Sequence, residues 1–449
     1  MGETGHRMSL PHPPVRKAAL DGGPLRIGIL VYRGNPYCGG QGVYTKAVAV
    51  ELAKLGHHVE VFSGPPYPHI DETVDGVQLH QISGLDLYPT GNPFRVPWPW
   101  EFRDLTDLGE FGIMSAAGYP EPWAFSKRIR KVLATRHGDF DLIHDNQCLG
   151  TGLEQMINED HWPMVATLHH PITVDRDLDL AHTTNRWRKL TLSRWYGFLN
   201  MQMRVAKSFE RIVTVSENSK RDIVAQMGVR EDRLHVVPVG VDQDIFRPIP
   251  EIARVPGRVV CTTSSDVPMK GFVPLLEALA KVRTDHPDTH LVCIGKLKDG
   301  SQIPAVLDRL GLNGVVSFVH GVETQRIVEL YAEASLAVVP SLYEGFSLPA
   351  VEAMACAAPL IATTGGALPE VVGTDGSAGI LVPPNDPEAL ANAMRMALDD
   401  PALRERIGPA GRARILNRFT WKACAEGTAD QYRAYLETRA RQERDGVFG

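Results

Sequence analysis

The chain has 449 residues, of which 43% are hydrophobic and 22% are charged, and its formal net charge is -6. This length is sufficient for two α/β domains with separate cores, and the acidic balance excludes the basic excess that is typical of nucleic-acid-binding proteins. The six cysteines show no C-x-x-C spacing, so neither a zinc site nor a disulfide framework is predicted, and a reducing cytoplasm is the expected location. No apolar run approaches the length of a membrane span.

The beginning of the chain predicts a Rossmann-like unit. Residues 1–24 are rich in Gly, Pro and His and lack the apolar region of a signal peptide, so we predict a disordered tail. A strand over 25–32, a glycine-rich loop over 35–42, a helix over 43–56 and a strand over 58–62 follow. The glycine spacing is not G-x-G-x-x-G, so a dinucleotide site is not indicated.

Two aromatic segments are open to more than one interpretation. Residues 88–123 contain several prolines and tryptophans, which predicts an irregular insertion. Its aromatic side chains either line a sugar or apolar acceptor site or hold a long loop in place. Residues 175–208 combine basic residues with tryptophans, so they either pack these rings inward or make peripheral contact with an anionic membrane surface.

Histidines lie near the ends of two predicted strands. The strand over 140–145 carries His144, and the strand over 164–170 ends in His169 and His170. Open α/β sheets bind their ligands at the carboxyl ends of their strands. Both strand ends are therefore candidate parts of a binding site.

The most informative stretch covers residues 338–373. An apolar strand is followed by a turn, a helix that starts at Leu348, a second strand and the Gly365-Gly366 loop. The free amides and the dipole of such a helix start favour an anion. Glu344 and Glu352 flank this position, and because carboxylates repel phosphate we expect them to bind hydroxyl groups. A nucleoside diphosphate sugar provides both the anion and the hydroxyls.

The same residues carry a family resemblance. EGFSLPAVE resembles the E-x7-E signature of retaining family 4 glycosyltransferases, and TTGGALPEVV resembles the donor loop that follows it there. The resemblance implies the glycosyltransferase B fold, in which two Rossmann-like α/β domains face each other across a cleft. It implies an N-terminal acceptor domain over 25–238, a C-terminal nucleotide-sugar domain over 239–420, and a helix over 421–440 that crosses back to the first domain.

The resemblance also implies a set of site residues. Catalytic roles fall on His169, with His170 as the adjacent candidate, and on Lys270 and Glu344. Contacts with the nucleotide sugar fall on Gly39, Gly40, Ser264, Lys270, His320, Gly321, Phe346, Ser347, Leu348 and Glu352. In this scheme Lys270 and the helix start stabilise the departing diphosphate, Glu344 orients sugar hydroxyls, and Glu352 holds the ribose. No metal or other cofactor is required, and the DxD-like sequences at 177–179 and 242–244 are interpreted as coincidences.

One position departs from the family pattern. Where the family commonly has an arginine six residues before Lys270, this chain has Ser264. A hydroxyl cannot offset charge as a bidentate arginine does. Either Lys270 and the helix start suffice, or a basic residue elsewhere substitutes, or activity is weak.

The sequence thus predicts a retaining glycosyltransferase that moves a sugar from a UDP-, GDP- or ADP-sugar to a hydroxyl of a small-molecule, glycan or lipid acceptor. Two alternatives stay open: a nucleotide-sugar isomerase (2-epimerase) on the same fold, and a silent nucleotide-sugar-binding subunit, which Ser264 favours. Glycoside hydrolysis is disfavoured because Glu344 and Glu352 lie on one local element and cannot flank a sugar from opposite faces.

Overall fold

The computed structural model describes residues 15–35, 40–71, 73–89, 92, 94–183, 185–298 and 300–446. The chain forms two compact units. Unit 1 contains the chain up to Thr214, Lys220–Val237 and the chain from Cys424 onwards. Unit 2 contains Val215–Ser219 and Pro238–Ala423.

Unit 1 is built on a seven-stranded sheet in the order β3-β2-β1-β4-β5-β6-β7, and all its strand pairs are parallel. Its strands are β1 (Arg26–Val31), β2 (His58–Ser63), β3 (Val77–Gln81), β4 (Leu142–Asn146), β5 (Met164–Leu168), β6 (Ile212–Thr214) and β7 (Leu234–Val236). The helices of this part of the chain are α1 (Lys17–Leu20), α2 (Gln41–Lys54), α3 (Leu105–Ser115), α4 (Glu121–Leu133), α5 (Thr151–Asn158), α6 (Thr173–His182), α7 (Arg186–Trp195), α8 (Phe198–Ala206) and α9 (Glu217–Met227).

Unit 2 is built on a six-stranded parallel sheet in the order β10-β9-β8-β11-β12-β13. Its strands are β8 (Val255–Thr262), β9 (His290–Ile294), β10 (Val316–Val319), β11 (Ala334–Val339), β12 (Leu360–Thr363) and β13 (Ile380–Val382). The remaining helices are α10 (Phe272–Val282), α11 (Ile303–Arg309), α12 (Thr324–Glu333), α13 (Leu348–Ala355), α14 (Leu368–Val372), α15 (Pro387–Asp399), α16 (Pro401–Arg418) and α17 (Trp421–Arg444).

Burial explains why the central strands β1 and β11 are largely apolar. All six residues of β11 are buried, as are five of the six residues of β1. Helices that cover both faces of a parallel sheet leave its central strands without a solvent face. Each unit is thus an α/β unit built on a parallel sheet, as the predicted Rossmann-like fold class requires.

The beginning of the described chain differs from the prediction of a disordered tail over 1–24. Residues 1–14 lie outside the described part, but Lys17–Leu20 forms a helical turn. Arg16 pairs with Asp141, and Arg433 donates to the carbonyl oxygens of Ala19 (3.1 Å) and Gly23 (3.0 Å). These arginine contacts order a segment whose composition alone predicts no structure.

The predicted irregular insertion over 88–123 contains regular structure. Asp104 caps α3 by accepting hydrogen bonds from the amides of Thr106 and Asp107. This cap opens a helix in a segment whose many prolines and tryptophans obscure the helical pattern. Within the described residues, no helix combines the length and the apolar character that crossing a membrane requires.

Candidate active site

The loops with the strongest sequence signals meet at one point of the sheet in unit 2. The strand order reverses between β8 and β11, which are neighbours in the sheet. In open α/β sheets, ligands bind outside the carboxyl ends of the strands at such a reversal. Lys270 lies in the loop after β8, and Glu344 lies in the loop after β11.

The structure brings these two side chains into direct contact. The Lys270 Nζ lies 2.8 Å from Glu344 Oε1, and the Ser341 hydroxyl donates to the same oxygen at 2.7 Å. Both bonds use Oε1, so Oε2 has no hydrogen-bond partner among the described residues. Glu344 is therefore held firmly by one oxygen while the other is available to accept a ligand hydroxyl.

Glycines allow the loops of this site to pack closely. Gly271 has a φ of 65°, and a Cβ there would lie 1.9 Å from the carbonyl oxygen of Pro340. Gly366 has a φ of 63°, and its Cβ would lie 2.2 Å from the carbonyl oxygen of Glu344. A side chain at either position would push the backbone on either side of Glu344 away.

The start of α13 has unused hydrogen-bonding groups. Ser347 precedes the helix with a φ of 93°, a conformation that non-glycine residues rarely adopt. Its hydroxyl is buried and has no partner among the described residues. The amides of Phe346, Ser347 and Leu348 also donate no hydrogen bond to the residues that the structure describes. These groups and the helix dipole together favour an anion at this position.

Glu352 lies one turn into α13. Its side chain is partly buried, and burial raises the pKa of its carboxyl to about 8. It forms neither an ion pair nor a hydrogen bond within the described part of the chain. A carboxyl that is desolvated and unpaired is suited to bind a hydroxyl pair, because a ligand would supply the missing hydrogen bonds.

The structure places the family's arginine position on the surface. Ser264 is exposed, and its carbonyl oxygen accepts the Val267 amide at 3.0 Å. Its small side chain leaves this loop, between β8 and Lys270, without a cation at the family's arginine position.

Two lysines that the sequence analysis did not single out lie beside this loop. Lys296 and Lys298 follow β9, which pairs with β8 in the sheet. The Lys298 amide donates to Asp266 Oδ2 at 3.2 Å, so the two loops are joined. Both lysines are exposed and form no ion pair with a described acid. Only the strand order reveals their position, since they are more than 25 residues from Lys270 in the sequence.

His320 and Gly321 follow β10, the edge strand of the same sheet, and both are exposed. Gly321 has a φ of 66°, and a Cβ there would meet no atom within 4 Å. The loops after β10, β9, β8, β11 and β12 thus form one row along the carboxyl edge. With strands about 4.8 Å apart, this row is about 19 Å long, comparable with an extended nucleoside diphosphate sugar.

In unit 1, His169 follows the end of β5. Its Nε2 lies 2.8 Å from Asn146 Oδ1, and its amide donates to Gln147 Oε1 at 2.8 Å. The imidazole packs edge-on against Tyr44, with the ring centroids 4.7 Å apart. Burial lowers the pKa of His169 to about 3, so the imidazole is neutral at physiological pH. Its Nδ1 has no hydrogen-bond partner among the described residues.

His170 is directed to a different partner. Its Nε2 lies 3.1 Å from Asp175 Oδ2, on α6. The two histidines therefore have distinct surroundings: the ring of His169 contacts an amide oxygen, whereas the ring of His170 contacts a carboxylate.

The interpretation of His144 as part of a strand-end site is wrong. Strand β4 continues to Asn146, so His144 lies inside the strand and is fully buried. Its ring nitrogens contact the hydroxyls of Thr167 and Tyr432. The polar residues after it, rather than His144, reach the edge of the sheet.

In the glycine-rich loop, Gly39 lies outside the described residues. Gly40 precedes α2 with a φ of 70°, and a Cβ there would meet nothing within 4 Å. Gly42 is the tightly packed glycine of the loop, because its Cβ would lie 2.1 Å from the carbonyl oxygen of Asn35. Open space beside Gly40 is compatible with the predicted approach of a ligand.

Solved structures establish the class of fold. Sucrose-phosphate synthase from Thermosynechococcus elongatus is 21% identical with a TM-score of 0.69, and the match covers 92% of this chain and 100% of that one. HepE of Anabaena in complex with UDP and glucose is 20% identical with a TM-score of 0.65, over 90% of this chain and 98% of that one. The fold is the glycosyltransferase B fold, which confirms the predicted class.

Sequence comparison establishes the family. The family model Glycosyltransferase Family 4 matches residues 38–245, and the model Glycosyl transferases group 1 matches residues 250–414. A Mycolicibacterium hassiacum protein named "MMP alpha-(1->4)-mannosyltransferase" is 46% identical over 409 residues, 91% of this chain and 98% of that protein. A Kineococcus radiotolerans "D-inositol 3-phosphate glycosyltransferase" is 29% identical, over 92% of this chain and 94% of that protein.

The chain belongs to glycosyltransferase family 4, and it is a glycosyltransferase enzyme. These relatives are transferases, which does not favour the isomerase alternative.

Proposed function

We propose that this enzyme transfers a mannosyl residue from a nucleoside diphosphate mannose to a hydroxyl of a glycan acceptor, with retention of anomeric configuration. The observation that carries the proposal is the Lys270–Glu344 pair beside the unpaired amides of α13. The choice of mannose rests on the name of the relative that is 46% identical. The choice of a nucleotide donor is supported by HepE, which has been crystallised with UDP-glucose.

The chemistry follows from where charge develops. The bond between the anomeric carbon and the β-phosphate oxygen breaks, and the acceptor oxygen forms the new bond. The acceptor's proton passes to the departing phosphate, which leaves as part of the nucleoside diphosphate. Lys270 and the start of α13 would stabilise this growing negative charge, which is the main electrostatic demand of the reaction.

The two glutamates would divide the remaining work. Glu344, held by Lys270 and Ser341 through Oε1, would accept sugar hydroxyls with Oε2. Glu352 would accept the ribose hydroxyls, which satisfy its unpaired carboxyl. The role proposed for His169 is a contact between its free Nδ1 and the transferred sugar.

Lys296 and Lys298 would supply the positive charge that Ser264 lacks. Their loop is hydrogen-bonded to the Ser264–Lys270 loop through Asp266, and their side chains have no acidic partner in the described chain. In this proposal, basic residues elsewhere replace the arginine that is absent at position 264. This is one of the three options that the sequence leaves open.

For location and partners, the proposal is a cytoplasmic enzyme acting on a glycan acceptor. Peripheral contact with the inner face of a membrane would fall to α7, where Arg186, Arg188 and Lys189 are exposed.

A donor panel tests the proposal. GDP-, UDP- and ADP-linked mannose and glucose are each incubated with an α-linked mannobiose acceptor, and products are identified by mass and linkage analysis. We expect transfer from a mannose donor, and we expect Glu344→Ala to reduce kcat by about 100-fold. The control is Glu388→Ala, since Glu388 is an exposed acid paired with Lys281. Glucose transfer without mannose transfer would contradict the donor, and unchanged turnover in Glu344→Ala would contradict the site.

A further inference from the structure

Three large aromatic side chains between residues 94 and 100 of unit 1 are exposed to solvent, and we call them the aromatic surface. Phe94, Trp98 and Trp100 are 57%, 63% and 74% exposed. The two tryptophan rings are stacked, with centroids 5.1 Å apart and planes within 5° of parallel. Large apolar groups grouped in this way on a surface mark an interaction site more often than isolated ones do.

The aromatic surface is held in place by an ion pair. Arg95 contacts both carboxylate oxygens of Glu101, at 3.0 and 2.6 Å, and its Nε donates to the Asp86 carbonyl at 2.9 Å. Glu101 in turn accepts the Trp98 amide at 2.7 Å. The backbone on both sides of the tryptophans is therefore fixed, so the rings are presented in a set geometry.

The backbone conformation of Phe94 is a second indication that this surface binds a ligand. Its φ of 64° lies in the left-handed region, which bulky residues rarely adopt. Its ring stays mostly exposed, so burial does not offset this conformational cost. Unfavourable backbone geometry of this kind concentrates at ligand-binding positions.

The base of the aromatic surface connects to the carboxyl edge of the sheet in unit 1. Phe94 contacts Tyr88 and Trp195, at centroid distances of 5.4 and 5.8 Å. Arg33, which follows β1, donates to the Tyr88 carbonyl at 2.9 Å. His169 follows β5 of the same sheet, so Tyr88 and Arg33 connect Phe94 to the edge that carries His169.

The charges around the aromatic surface favour a neutral partner. The arginines of residues 94–104 and the nearby Lys131 are each paired with an acid: Arg95 with Glu101, Arg103 with Asp107, and Lys131 with Asp104. An anionic lipid surface is attracted by unpaired cations, and none of these three is unpaired. A sugar ring, in contrast, offers C–H groups that match the negative faces of aromatic rings.

We infer that the aromatic surface binds the chain of an oligosaccharide acceptor, so the enzyme selects α-linked mannose chains of several residues over short ones. This inference rests on the proposed function and adds the class of acceptor to it.

Binding of mannobiose and of linear α-linked mannotetraose, measured calorimetrically without donor, tests the inference. We expect the wild type to bind the tetraose about ten-fold more tightly than the biose, because the longer chain reaches the tryptophans. Trp98→Ala/Trp100→Ala is expected to lose this difference. Trp187→Ala is the matched control, since Trp187 is 79% exposed on α7 and lies outside the aromatic surface.

Three results would overturn the inference: equal affinity of the wild type for both sugars, an unchanged preference in the double variant, or a loss of binding to phosphatidylglycerol vesicles in the double variant instead. Thermal unfolding of each variant confirms that it is folded. Mannosyl transfer to mannobiose is measured in parallel. A protein that binds tetraose through the tryptophans but transfers no mannose would contradict the proposed function and leave this inference standing.

Discussion

Glu352 is the side chain whose titration gives the clearest prediction. In the unfolded chain a glutamate titrates near pH 4.3, whereas burial raises the pKa of Glu352 to about 8. Between these values the unfolded state binds fewer protons than the folded state, so this carboxyl lowers stability as the pH rises. Glu352→Gln removes that dependence.

We therefore expect Glu352→Gln to gain thermal stability relative to the wild type as the pH increases from 5 to 8. The same variant should weaken donor binding roughly ten-fold, because the amide offers ligand hydroxyls one oxygen where the carboxyl group offers two. Melting curves and donor titrations over this range measure both effects. A constant difference in melting temperature would show that Glu352 is not the titrating group.

The missing arginine at Ser264 leads to a second prediction. Lys296→Ala/Lys298→Ala should raise the KM for the donor about ten-fold, since a cation near a diphosphate strengthens its binding. Ser264→Arg in the same background should restore much of the affinity, because it places a cation in the adjoining loop. The control is Lys189→Ala, an exposed lysine in unit 1. Steady-state kinetics that show no loss in the double variant would exclude the two lysines from the site.

The loop after β8 depends on a glycine to place Lys270. A Cβ at Gly271 would lie 1.9 Å from the Pro340 carbonyl oxygen, so Gly271→Ala must push the two loops apart. A displacement of about 1 Å can cost about 100-fold in rate. We expect Gly271→Ala to lower kcat by that order while the protein remains folded.

Gly311→Ala is the matched control for this substitution. Gly311 has nearly the same φ, 64°, but no atom within 4 Å of the added Cβ. It reports the conformational cost of alanine alone. Equal losses of kcat in the two variants would mean that the contact with Pro340 is irrelevant.

Local patterns predicted most of the elements, and sheet order accounts for most of what they missed. The apolar runs of β8 and β11 identify buried parallel strands, and the motif around Glu344 identifies the start of α13. The contact between Lys270 and Glu344, and the position of Lys296 beside Ser264, depend on which strands are neighbours. Neither apolar pattern nor spacing along the chain contains that information.

The two wrong predictions, for His144 and for residues 15–24, also arise from contacts between distant parts of the sequence. A histidine that follows an apolar run indicates a strand end, but the ring of His144 lies inside the sheet and contacts the hydroxyls of Thr167 and Tyr432. Residues 15–24 are ordered by Arg16 and by Arg433, which is distant in the sequence. Long-range polar contacts of this kind leave no local signal.

For the whole molecule, the proposed activity is that of a retaining mannosyltransferase. Its most direct test is the anomeric configuration of the first product, observed by proton NMR during transfer from an α-linked nucleoside diphosphate mannose to α-linked mannobiose. In the proposed mechanism Lys270, the start of α13 and Glu344 would support departure of the diphosphate, and the anomeric configuration of the sugar would be retained. The account predicts that the new linkage is α from the earliest spectra. A β-linked product would contradict retention, and transfer of a sugar other than mannose from another donor, without transfer of mannose, would contradict the donor.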